Sequence, residues 1–90
     1  MKNYYILIIE ESVTIDKDIL ISKLDLALDW IHIMSNVFII ESTADKIKWY
    51  KRLKPVFNGN KFFLTEIDLS NSIGWMPKWI WSWIKEKAKI

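Results

Sequence analysis

The sequence contains no cysteine and only one histidine, His32. Disulfides, thiolate nucleophiles and cysteine-held metals are therefore unavailable, and one imidazole cannot build a histidine metal cluster within a single chain. Any serine nucleophile would have only His32 as its base, and no nucleophile-elbow pattern is present, which excludes the familiar triads. Glycine and proline number two each, and Gly59 and Gly74 stand isolated, so there is no glycine-rich phosphate loop. Charge of one sign is also scarce: thirteen basic against eleven acidic residues leave a net +2, too little on its own to imply nucleic acid. Long hydrophobic runs are missing as well. The apolar stretch 4–9 is too short to span a bilayer, and the lysine and two tyrosines at the N-terminus do not make a signal peptide. The expected setting is cytoplasmic, without membrane insertion.

What is abundant is apolar surface. Of the 90 residues 51% are hydrophobic, enough for one core and not two, so residues 1–90 are expected to form a single domain. Residues 4–9, Tyr-Tyr-Ile-Leu-Ile-Ile, are apolar throughout and predict a central strand buried on both faces. Asp16 can cap a helix over about 17–28, with Leu20, Leu24, Ala27 and Leu28 on one face. Residues 30–34 and 37–40, separated by Ser35-Asn36, read as a hairpin whose second strand is again apolar without alternation. Ser42-Thr43-Ala44-Asp45 matches a helix start, followed by an apolar stripe of Ala44, Ile47, Tyr50 and Leu53 that Pro55 should end. Residues 61–69 then read as an edge strand after the turn Asn58-Gly59-Asn60.

This order is β-α-β-β-α-β, which predicts an α+β ferredoxin-like sandwich with strands one and three in the middle of the sheet. Its core should occupy about 3–70. Two helices cover one face of such a sheet, so doubly apolar central strands need a second cover. The segment from about 76 to 89 is the candidate: Pro77 suits a first turn, and Trp79, Ile80, Trp83 and Ile84 share a face, opposite Ser82, Lys85, Glu86 and Lys89. A tryptophan-rich C-terminal helix is expected there, packed in cis or across a dimer seam.

Several side chains are candidates for function. Six tryptophans in 90 residues is the strongest anomaly of composition. Trp30, Trp79 and Trp83 read as core, whereas Trp75, in a loop, and Trp81, at the helix margin, read as contact residues for a partner. Between Lys46 and Lys54 lie five basic residues and no acid, and Lys48, Lys51 and Arg52 share a helix face that suits a nucleic-acid backbone or simply water. Glu10 and Glu11, after the first apolar run, can hold a hard metal if a two-fold axis pairs two copies of Glu10. They read otherwise as solvated strand-end carboxylates, with Lys61 as a neighbour. His32 belongs on an edge strand, hydrogen-bonded or facing water.

The elements so placed resemble those of the small ferredoxin-like proteins related to the CRISPR-adaptation nuclease subunit and the VapD-type toxins, and especially short phage and bacterial proteins that carry a SinR-family label. The likeness rests on residues 4–9, on Trp30-Ile31-His32 followed by Val37-Phe38-Ile39-Ile40-Glu41-Ser42-Thr43, and on Lys61-Phe62-Phe63-Leu64 ahead of Gly74-Trp75-Met76-Pro77 and Trp83-Ile84-Lys85. It implies a homodimer. In the nuclease branch it implies magnesium- or manganese-dependent cleavage by an aspartate ending the first strand, a place held here by Glu10 and Glu11. The leading expectation is a non-enzymatic binding module without cofactor, engaging a protein or nucleic acid through Trp75 and Trp81 or through Lys48, Lys51 and Arg52. The resemblance extends it to a mobile-element accessory protein that inhibits host defence in the manner of an anti-CRISPR. The alternatives are a metal-dependent endonuclease using Glu10, and a protein held at a membrane surface by its aromatic, lysine-tailed helix.

Overall fold

The computed structural model of the protein describes residues 1–11 and 14–89. The elements follow the order β1 (Asn3–Ile9), α1 (Lys17–Leu24), β2 (Asp29–Met34), β3 (Val37–Ser42), α2 (Lys46–Phe57), β4 (Phe62–Glu66), a 3-10 turn (Leu69–Asn71) and α3 (Lys78–Ala88). The strands make one antiparallel sheet in the order β2-β3-β1-β4, with β1 and β3 central as the apolar runs predict. The molecule is an α+β fold of βαββαβ order with an added C-terminal helix.

Local chemistry explains the boundaries. Asp16 caps α1 by accepting from the amides of Asp18 and Ile19 at 3.0 and 3.3 Å. The helix stops at Leu24, four residues short of the expected end, because the Leu28 amide is already donated to Glu41 O at 2.9 Å as the chain enters the sheet. Asp45, not Ser42, caps α2, accepting from the Lys48 amide at 2.8 Å. That helix runs past Pro55 to Phe57, although the proline cannot donate to the Lys51 carbonyl and its ring crowds it, and the helix ends within two residues. It ends where Asn58 and Gly59 turn left-handed, at φ 47° and 90°. β4 is shorter than expected, because Asp68 accepts from the Ser70 amide and caps the 3-10 turn.

Tyr5, Leu7 and Ile9 of β1, with Phe38 and Ile40 of β3, meet Leu20, Leu24, Trp49, Leu53 and Phe57 in the larger core. The buried stripe of α2 is thus Trp49, Leu53 and Phe57, and the expected stripe residues Ile47 and Tyr50 face outward. On the opposite face of the sheet α3 lays Ile80 and Ile84 onto Ile31, Ile39 and Leu69. The C-terminal segment is therefore a helix and covers the sheet in cis. Its cover is partial: all six residues of β3 are buried, but Ile8 of β1 and Phe63 of β4, cross-strand partners on that face, stay exposed. The expectation that β1 is buried on both faces holds for one face and only part of the other.

Candidate interaction surfaces

Just before α3 the chain presents Ile73 and Trp75 at 98% and 99% exposure, and Trp79 on the first turn remains 58% exposed. Pro77 is the N-cap residue of α3, its own backbone extended at φ −53° and ψ 146°. Trp75 therefore lies where a contact residue was expected. The other tryptophans reverse part of the expectation. Trp79, read as core, is outside, because Ile80 and Ile84 take the line of closest approach to β2 and β3. Trp81, read as a contact residue, is half-buried against the smaller core, its ring 3.8 Å from where a Cβ on Gly74 would sit. Trp83 packs there too and donates its indole N–H to Asp29 Oδ2 at 3.1 Å. Trp30 is half-buried, packs against the larger core and donates to Asp25 at 2.9 Å.

The basic face of α2 is only partly free. Lys48 and Lys51 are exposed, whereas Arg52 is half-buried with its guanidinium 4.8 Å from the centre of the Trp49 ring. Its Nη1 and the Trp49 indole nitrogen are both buried without a hydrogen-bond partner.

Glu10 and Glu11 are exposed at the end of β1, beside a cleft of about 430 Å³ that Lys17 and Asn36 also line. Glu10 is already engaged, its carboxylate accepting from the Lys61 amide at 2.9 Å while its own amide donates to Lys61 O at 3.0 Å. Lys61 is thus its partner through the backbone. Among the described residues no three histidine, cysteine, aspartate or glutamate side chains converge on a common point. His32 lies exposed on β2, stacked 4.2 Å from Phe38 with Nε2 3.2 Å from Ser35 O.

One polar cluster escaped the sequence reading. Asp29 and Glu41 face each other across β2 and β3, and Lys87 of α3 reaches both, at 2.9 and 3.3 Å. The Tyr4 hydroxyl donates to the other Glu41 oxygen at 2.6 Å. Burial, with the bond to Glu41 second, pushes the Tyr4 phenol up to about 12. Burial pulls Asp29 upward, but donors from Lys87, the Trp30 amide and the Trp83 indole outweigh it and hold the carboxyl below its ordinary value. The bond to Asp29 raises Lys87 against the opposing effect of its burial. The cluster pins the C-terminal half of α3 to the sheet, leaving the aromatic loop at its other end. The signals for it in the sequence are one glutamate ending an apolar strand and a lysine four residues after Trp83.

Among the described residues no helix is long and apolar enough to cross a membrane. No family model, curated protein or solved structure matches the chain.

Proposed function

We propose that the protein is a ferredoxin-like binding module that recognises a protein partner, a second copy of itself included, through the aromatic loop at residues 73–79. The observation that carries this reading is the exposure of Ile73, Trp75 and Trp79 within seven residues. Tryptophan and isoleucine so displayed cost solubility and contribute nothing to the core, and tryptophan dominates the energetics of protein interfaces once desolvated. Lys78 is the only basic residue in the loop, so base stacking on these rings would lack the phosphate contacts that normally accompany it. The finer reading of the architecture is supported by the sheet order, which from the β4 edge runs 4-1-3-2 with every pair antiparallel, the split-βαβ arrangement.

The test is affinity capture from host or phage-infected cells with the wild-type protein, the Trp75→Ala/Trp79→Ala variant and the Lys48→Glu/Lys51→Glu variant. A protein partner lost by the first variant and kept by the second, in nuclease-treated lysate, is the expected result. Capture that survives loss of both tryptophans, or that vanishes on nuclease treatment, contradicts the proposal.

A further inference from the structure

A second surface, carried by other residues, lies along β4. This strand is the edge of the sheet, and its ladder with β1 fixes which backbone groups it leaves unpaired. The Glu10 amide donates to Lys61 O and the Ile67 amide to Tyr4 O. Hydrogen-bonded positions alternate along an antiparallel pair, so Lys61, Phe63, Thr65 and Ile67 bond inward, and Phe62, Leu64 and Glu66 turn their amides and carbonyls to the open side. The edge is open to pairing: the ladder shows no bulge, the strand holds no proline, and Phe63 is 60% exposed. Beside it α2 supplies a wall. The Tyr50 ring lies 5.9 Å from Phe62, and Lys46, Ile47 and Tyr50 line a groove of about 260 Å³ with the strand. The outward turn of Ile47 and Tyr50 thus has a consequence: the apolar residues that do not enter the core border an unpaired strand.

Charge decides the occupant. From Lys46 to Glu66 there are six basic residues, Lys46, Lys48, Lys51, Arg52, Lys54 and Lys61, against the single acid Glu66. Asp45 and Glu10 flank the stretch, each already accepting a backbone amide. Among the described residues no ion pair neutralises Lys46, Lys54 or Lys61, and Lys54 Nζ sits 5.6 Å from the Tyr50 ring. Two copies of such an edge brought together would repel one another. A polyanion would find the charge but not a use for the unpaired amides and the apolar wall. We infer that β4 and the adjoining face of α2 dock an extended segment of a partner protein, alternating apolar with acidic residues, which joins the sheet as a fifth strand. Its backbone pairs with Phe62, Leu64 and Glu66, its apolar side chains fall on the sheet face where Ile8 and Phe63 are exposed, and its acids fall on the α2 face, where they meet Lys46 and Lys54.

The full chain and a synthetic octapeptide of alternating glutamate and valine test this. Binding should slow hydrogen exchange at the amides of Phe62, Leu64 and Glu66, weaken as salt is raised, and fall about tenfold for Lys46→Glu/Lys54→Glu. It should vanish when the peptide is N-methylated along its bonding edge, and be unchanged in Trp75→Ala/Trp79→Ala, which separates this surface from the aromatic loop. Equal binding of the lysine-valine peptide, or protection elsewhere in the chain, would overturn the inference. So would protection of the same three amides by raising protein concentration alone, which assigns the edge to a second copy, or by single-stranded RNA, which assigns it to nucleic acid.

Discussion

Lys87 draws together two carboxylates from different strands and is itself only 17% exposed, while Glu41 beneath it is almost completely enclosed. Removing one member of such a group leaves a buried charge without its counter-charge, which costs more than the pair contributes. Lys87→Met should therefore lower the unfolding free energy by about 2–3 kcal/mol, below the usual range for a fully buried pair because Asp29 remains half-exposed. Glu41→Gln in the same chain should recover most of the loss, since the amide still accepts from Tyr4 and the one carboxylate left without Lys87, Asp29, is half-exposed and still accepts from the Trp30 amide and the Trp83 indole. Urea unfolding of the two single variants and the double variant checks both expectations. The cluster was not legible in the sequence because its members are far apart along the chain, and charge patterning reveals only neighbours.

The identities and order of the elements were legible, because alternation, capping residues and turn residues are local. Which face a helix buries was less so. In α2 the apolar residues Ile47, Trp49, Tyr50, Leu53, Val56 and Phe57 permit two stripes sharing Leu53, and the choice between them is made by β1, β3 and α1. The same holds for α3, where either Trp79 with Trp83 or Ile80 with Ile84 can lead the contact; the narrower isoleucines fit closest to the sheet. The attachment of α3 predicts a pH response. Tyr4 is held protonated above its ordinary value of 10.0, to about 12, and Lys87 holds its proton above 10.5. Above pH 10 the unfolded chain loses these protons while the folded one retains them, so stability present below that pH is lost as it rises through the folded values. Asp29 acts in the opposite sense: its contribution is present above the ordinary 3.8 and is lost as pH falls through its lowered value. Near-ultraviolet dichroism of Trp81 and Trp83 should stay constant through neutrality and decline at both extremes. Tyr4→Phe should flatten the decline between pH 10 and 12, leaving the shares of Lys87 and of Tyr5, whose phenol burial also pushes upward.

At the scale of the whole molecule, helices on both faces of one sheet make three layers, with a larger core on one face and a smaller one on the other. Its Cα radius of gyration of 13.0 Å exceeds the roughly 12 Å of a well-rounded domain of this length, in keeping with a helix that covers one end of the second sheet face. Apolar surface left exposed by that arrangement includes the loop before α3 and the β4 edge, and both proposals arise there. The central claim is that the six tryptophans divide into those the fold needs and those it does not. The unfolding free energies of the six single Trp→Ala variants test it directly. Trp49→Ala should cost about 3–5 kcal/mol, and Trp30→Ala, Trp81→Ala and Trp83→Ala about 1–3 kcal/mol. Trp75→Ala and Trp79→Ala should fall within about 0.5 kcal/mol of wild type. A loss of about 2 kcal/mol or more at Trp75 or Trp79 would place those rings in the core and contradict the account.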